Sequence, residues 1–446
     1  MNDNRPNILY MVCHDLGRTL GCYGKPVTSP NLDRFANQGA LFTTAFCSSP
    51  ACSPSRGCAM TGQTAHTNGL MGLVNRGWSM PESTRTIVDY LNDAGYLTAH
   101  FGLQHEQHSA AANRYQVEGY RQRSDLYAEN AVDQAIEFLE VHKNTSRPFY
   151  LNVGTLEVHC SQWQGKLDNG ERLSVYGTEA LDRVYVPRVF PDVPQVRREM
   201  AKFQGAIRFL DGQFGRLMAA VDGAGLADNT IVVFTTDHGM AGMRAKMTLY
   251  DLGVENALMI RLPGRIAAGQ RIDDLVANID LMPTLLEAAG AEIPPQVQGR
   301  SFWGRITGGS AVDSRSEIFT ERNYHGGVIS HYDPMRAVRT DRYHYIRNFG
   351  DDPREYWLPQ DVPYMNEDYA DWWDYLWPQP ALPRSREELF DVVADPDEFT
   401  NLADDPGYAQ IKADLASKLE HWMEETADPL LRGDIPDKLH GWPEKP

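Results

Sequence analysis

Three short segments of this chain bring nucleophilic, acidic and imidazole side chains together. His14 and Asp15 follow an apolar run and precede Leu16-Gly17. Asp237 and His238 close a second apolar run and precede Gly239, and Cys52 and Arg56 stand four residues apart. Carboxylates are ligands for hard divalent cations, whereas imidazoles suit borderline ions such as Zn²⁺ or Mn²⁺. Cleaving an anionic ester needs a strong oxygen nucleophile, a positive cage and an acid for the leaving group, and a metal ion with a guanidinium one helical turn from residue 52 on the same face supplies such a cage. Taken singly, each piece has a plainer reading. A lone cysteine packs as a small hydrophobe, and D-H-G after a strand can be only a turn with an Asp cap.

The 446-residue chain has 42 Lys and Arg against 60 Asp and Glu, a formal charge of −18. Such a surface repels phosphate backbones and anionic membranes, so neither nucleic acid nor a membrane is an expected partner. An anionic substrate then needs a local positive site set against the global field. The start of the chain lacks a basic segment followed by a long apolar one, so no signal peptide is read and a cytoplasmic location is expected. The six cysteines show no paired C-x-x-C spacing and are read as reduced thiols.

The elements that must position these groups are legible from periodicity. Strands are expected over Asn7–Val12, Tyr96–Phe101, Arg147–Val153, Thr230–Thr236 and Ala257–Leu262. Helices are expected over Leu32–Gln38, Thr86–Ala94, Ser124–His142, Arg198–Val221 and Asp280–Ala289. Residues 161–197 read as a long loop. The alternation predicts an α/β fold, a mostly parallel central sheet sandwiched by helices over residues 1–330. A smaller α+β carboxyl-terminal subdomain is expected over 331–446, with a hairpin at Arg336–Arg347 and a last helix near Glu424. The aromatic-rich stretch Tyr364–Trp377 is a candidate sugar platform.

Cys52-Ser53-Pro54-Ser55-Arg56, followed by Thr61-Gly62, resembles the signature of the type I sulfatases of the alkaline-phosphatase superfamily. The likeness extends to P-N-I-L-Y, T-T-D-H-G and the late E-L-F-D-V-V-A-D-P-D-E-F-T-N-L-A. Among subfamilies the chain is most similar to the heparan N-sulfatases, or sulfamidases, through T-G-Q-T-A-H-T-N-G-L-M-G-L and the closing W-M-E-E-T-A-D-P. The resemblance implies that Cys52 is oxidised to formylglycine (3-oxoalanine) by a dedicated formylglycine-generating enzyme. It also implies that His14, Asp15, Cys52, Asp237 and His238 surround a divalent metal, Ca²⁺ in the family. Arg56, His105, His159 and Lys246 are implied to hold sulfate and to protonate the leaving group, and His66 is a further residue expected to face the pocket. The chemistry suits sulfate esters, whose sulfur is ringed by anionic oxygens. One hydroxyl of a hydrated aldehyde attacks sulfur, and the other is later deprotonated to expel sulfate.

Two features depart from the family pattern. Imidazoles stand at 14 and 238 where the family has carboxylate and amide, which leaves Mn²⁺ or Zn²⁺ open beside Ca²⁺. Leu103 stands where a Lys is usual. The expected activity is hydrolysis of sulfate esters or sulfamates, aryl or saccharide, with phosphonate monoester or phosphodiester hydrolysis by the same nucleophile as the alternative. The implied partners are a small-molecule or saccharide sulfate and the maturation enzyme, and a homo-oligomer is compatible with the sequence.

Overall fold

Asn7–Cys13 reads N-I-L-Y-M-V-C with no polar alternation, because this strand is buried on both faces. Leu9, Met11 and Cys13 enter one core cluster, and Ile8, Tyr10 and Val12 enter another on the opposite side. Each such aliphatic side chain contributes about 1.5–3 kcal/mol on burial, which fixes the strand's depth and register. The computed structural model describes residues 5–107, 114–119, 122–159, 171–242, 244–309, 315–325, 331–350 and 385–436.

In chain order the strands are β1 (Asn7–Cys13), β2 (Ala40–Phe42), β3 (Ala45–Phe46), β4 (Leu97–Gly102), β5 (Val117–Glu118), β6 (Phe149–Gly154) and β7 (Thr230–Thr236). They continue with β8 (Leu258–Arg261), β9 (Gln270–Ile272), β10 (Val276–Ala277), β11 (Glu317–His325), β12 (His331–Thr340), β13 (Tyr343–Asn348) and β14 (Glu387–Asp391). The large sheet has the order β5-β4-β6-β1-β7-β8-β2-β9. Its pairings are parallel except those of β8, which runs antiparallel to both β7 and β2. Helices Ala128–His142 and Pro194–Gly223 cover one face, and Ile87–Asp93 and Leu281–Ala288 cover the other. This is the expected α/β sandwich.

A second sheet, β11-β12-β13-β14, is antiparallel throughout. Its alternation splits the burial between two sides. Val338, Tyr345 and Leu389 pack on Leu415, Leu419 and Trp422 of helix Ala409–Glu425. Ala337, Ile346 and Phe390 face Cys47, Cys58, Leu249 and Tyr250. The small sheet therefore backs the segments that flank Cys52 and Lys246.

Several boundaries differ from the sequence reading. Helix Glu171–Tyr176 lies inside the stretch read as loop, and the long helix starts at Pro194, a residue that needs no N–H in a first turn. Residues 160–170 lie outside the described residues, as does Tyr364–Trp377. Strands β2, β3, β5, β9 and β10 span two or three residues each, too short for any period to register. The small sheet starts at Glu317, ahead of residue 331, since β11 pairs with β12. Among the described residues no helix is long and apolar enough to cross a membrane.

Candidate active site

β1 and β7 are parallel neighbours with Cys13 opposite Thr236. His14-Asp15 and Asp237-His238 therefore leave the sheet side by side at its carboxyl edge, where open α/β sheets bind ligands. Both turns are tight enough to need glycine. Gly17 has φ +55°, and a Cβ on Gly239 would lie 1.9 Å from the Leu252 carbonyl oxygen. Asp15 itself sits at φ +53°, a conformation that costs about 1 kcal/mol and is met by its N–H donating to Asp237 Oδ1 at 3.0 Å.

Cys52 is the first residue of helix Cys52–Thr61 and is buried. A relay fixes this first turn. Asn278 Nδ2 donates to the Ser55 carbonyl and hydroxyl at 2.9 and 3.0 Å, and Asn278 Oδ1 accepts the Ser48 N–H at 2.9 Å. The Ser55 hydroxyl in turn donates to the Asp237 carbonyl. Helix and strand end are thus locked to each other.

The result is one cluster. Ligand atoms of His14, Asp15, Cys52, Asp237 and His238 all lie within 4.8 Å of one another, and all five residues are buried. His14 Nδ1 is 2.7 Å from Asp15 Oδ1 and 2.9 Å from Asp237 Oδ2. His238 Nδ1 is 2.9 Å from the Gly239 carbonyl oxygen, and its Nε2 faces Asp15 Oδ1 at 3.4 Å and Asp237 Oδ1 at 3.7 Å. That Nε2 is buried and makes no hydrogen bond. A carbonyl only accepts, so Nδ1 carries a proton and Nε2 is left facing two anionic oxygens, which draw positive charge to that point. A cation there meets imidazole and carboxylate donors that fit a divalent ion.

Cationic groups ring the cluster. Lys246 Nζ is 3.0 Å from Asp15 Oδ2, and Arg56 Nε is 3.2 Å from Asp237 Oδ2. Arg56 Nη2 is buried without a hydrogen bond. The His14 ring centroid is 4.8 Å from that of His159 and 6.5 Å from that of His105. His159 Nε2 lies 3.9 Å from Asp15 Oδ2, and its side chain keeps 18 % exposure where the four imidazole and carboxylate ligands have 3 % or less.

Burial alone would raise the Cys52 thiol, but Lys246, His14 and a hydrogen bond to His105 hold it well below the ordinary thiol range. Burial also opposes ionisation of Asp15 and Asp237. Lys246 and His14 overcome it for Asp15, and His14 and His238 for Asp237, so both stay below the carboxylate range. Burial disfavours charge on the two imidazoles, yet the carboxylates raise both His14 and His238. The pocket thus draws positive charge, whether as protons or as a metal.

Of the residues singled out for the site from sequence, Cys52, Arg56, His105, His159, Lys246, His14, Asp15, Asp237 and His238 reach this cluster. His66 does not. It is bound to Glu321 at 3.0 Å and packs edge-on against Trp422, because its short helix Ala65–Asn68 turns toward the small sheet. Leu103 is buried at the end of β4, with its N–H on the Gly154 carbonyl. Sequence reasoning assigned nothing to Asn278 or Ser55, or to Glu106, a buried carboxylate that accepts the His105 N–H at 2.8 Å and lies in the field of Arg56. Ser55 stood inside the quoted pentapeptide, while Asn278 and Glu106 carry no local signal.

Residues 6–291 match the sulfatase family, and residues 239–371 match the domain described as N-sulphoglucosamine sulphohydrolase, C-terminal. The chain is 28 % identical to human N-sulphoglucosamine sulphohydrolase, covering 95 % of this chain and 91 % of that one. It is 26 % identical to an ulvan-active sulfatase of Formosa agariphila, covering 95 % of this chain and 76 % of the relative. A protein solved in complex with its substrate D-glucosamine-2-N,6-O-disulfate superposes with a TM-score of 0.71 at 20 % identity, over 98 % of this chain and all of that one. A phosphonate monoester hydrolase from Silicibacter pomeroyi superposes with a TM-score of 0.69 at 19 % identity, over 96 % and 97 %. Both superpositions establish the fold.

Proposed function

This chain belongs to the sulfatase family, and from that premise we propose that it cleaves the sulfate ester or sulfamate of a sugar with a nucleophile made from Cys52. The observation that carries this reading is the buried convergence of Cys52 with His14, Asp15, Asp237 and His238, ringed by Lys246 and Arg56. When bound, a divalent cation supplies Lewis-acid polarisation of the attacking oxygen and of the sulfuryl group.

The chain's own residues do the rest. His14, Asp15, Asp237 and His238 would hold the ion, and residue 52 presents its side chain from a helix start whose dipole favours negative charge. Arg56 Nη2, buried without a hydrogen bond, and the Lys246 ammonium bind sulfuryl oxygens as charge accumulates on them. His159 is more exposed than the four imidazole and carboxylate ligands and is placed to protonate the departing oxygen or nitrogen. His105 steadies the side chain at 52.

The two departures from the family pattern compensate in charge. With His14 neutral, as a metal ligand must be, it removes a carboxylate while Leu103 removes a cation, and the formal balance of the site is unchanged. An anionic substrate therefore meets a field of the usual sign. Similarity to sulfatases that act on glucosamine sulfates favours a sulfated amino sugar.

Peptide mass at residue 52 tests the nucleophile, with formylglycine expected there. Cys52→Ala should abolish turnover with the fold intact by circular dichroism, and chelation should abolish turnover reversibly. Full activity on sulfates with unmodified Cys52 would refute the reading. Leu103 favours phosphonate monoester or phosphodiester hydrolysis as the second reading. Parallel kcat/KM values on aryl sulfate, phenylphosphonate and diester substrates separate the two.

A further inference from the structure

The five-residue cluster offers an unusual mixture for a site expected to hold calcium. We infer that this site selects an imidazole-accepting first-row divalent ion, Mn²⁺ or Zn²⁺, over Ca²⁺, with His14 and His238 as the selecting residues. The inference rests on the proposal that the cluster holds a catalytic cation, and it departs from the calcium that the family resemblance implies.

Spacing does not decide the question. Bonds of about 2.1 Å put neighbouring octahedral ligand atoms about 3.0 Å apart, and bonds of about 2.4 Å put them about 3.4 Å apart. The four nitrogen–oxygen separations here are 2.7, 2.9, 3.4 and 3.7 Å, which bracket both. Donor chemistry decides it. Ca²⁺ gathers six to eight oxygens. This cluster presents two ring nitrogens and two carboxylates, together with residue 52, and imidazole nitrogen is bound more strongly by first-row divalent ions, Zn²⁺ above Mn²⁺, than by the oxygen-seeking Ca²⁺.

The second observation is the orientation of His238. Its Nδ1 is committed to the Gly239 carbonyl at 2.9 Å, while its buried Nε2 makes no hydrogen bond and is turned toward Asp15 and Asp237. A backbone carbonyl behind a ring whose other nitrogen faces carboxylates is the support that fixes the tautomer of a metal-ligating histidine. His14 Nδ1 is hydrogen-bonded to Asp15 at 2.7 Å and lies 2.9 Å from Asp237, so each ring lies against both acids, and a metal taken by this nitrogen displaces its proton. Asp15 and Asp237 are shared by both nitrogens, and an oxygen-only ion would leave the His238 Nε2 inside its shell without a bond.

The test uses full-length protein stripped of metal, with binding of Mn²⁺, Zn²⁺ and Ca²⁺ each measured by titration calorimetry. Metal content is then read after dialysis against all three together. Wild type should retain about one Mn²⁺ or Zn²⁺ per chain and bind it at least about tenfold more tightly than Ca²⁺. The double variant His14→Asp, His238→Asn should lose that preference by a further tenfold or more. Because that variant can fail to fold, a second readout uses wild type alone, in which nitrogen couplings in the pulsed electron paramagnetic resonance of bound Mn²⁺ report imidazole ligation directly. A wild-type preference for Ca²⁺, or bound Mn²⁺ without nitrogen couplings, overturns the inference and leaves the proposed activity standing. Failure of every ion to bind overturns both, with protons then occupying the space between rings and acids.

Discussion

Asn278→Ala is the sharpest probe of how the nucleophile is held. Asn278 is buried and makes three hydrogen bonds, two as donor to Ser55 and one as acceptor from the Ser48 N–H. Each is worth about 1 kcal/mol net, and truncation leaves the Ser48 N–H buried without its partner while the Ser55 carbonyl keeps its place in the helix ladder, so a loss of about 3 kcal/mol is expected. The same change frees the turn before Cys52 and breaks the relay through Ser55 to the Asp237 carbonyl. A shift of about 1 Å between nucleophile and ion costs on the order of 100-fold in rate. Ser55→Ala cuts only the hydroxyl relay and should cost about 1 kcal/mol. The assay is aryl sulfate turnover, normalised to the converted fraction of residue 52 from peptide mass, beside urea unfolding of the same samples. The expected pattern is a fall in kcat larger than any rise in KM. If Asn278→Ala loses about 3 kcal/mol yet keeps kcat within twofold of wild type, the positioning argument is wrong. If stability is unchanged, the hydrogen-bond accounting is wrong.

Three further expectations concern separate parts of the molecule. Lys246→Met removes the ammonium 3.0 Å from Asp15 and should lower kcat by about 100- to 1,000-fold, read from steady-state kinetics with the unfolding midpoint as control. Gly239→Ala places a Cβ 1.9 Å from the Leu252 carbonyl oxygen; the turn must move, stability should drop by about 1–3 kcal/mol, and calorimetry should show weakened metal binding. Burial raises the Glu321 carboxyl, but His66 and Arg336 outweigh it and bring it to about 2 from an ordinary 4.5. A folded value below the unfolded one stabilises fully above about pH 4.5 and is lost as pH falls toward 2, so His66→Gln should move the acid-unfolding midpoint upward by circular dichroism.

Much of this protein is local and therefore readable in one dimension. β1 and β7 are recognisable because strands buried on both faces carry continuous apolar runs, as I-L-Y-M-V-C and I-V-V-F are within them. The polar groups at their ends stand out against those runs. Cys52 and Arg56 are one helical turn apart, a distance that spacing alone encodes. What remained hidden depends on contacts between distant segments. That β1 and β7 are neighbours, 222 residues apart at Asp15 and Asp237, follows from sheet order, which no strand carries in its own residues. The antiparallel course of β8, the two-residue strands and the diversion of His66 to Glu321 are settled by packing across elements. Asn278, Ser55 and Glu106 acquire their places only when the chain is folded, because a hydrogen bond or a buried charge has meaning only beside its partner.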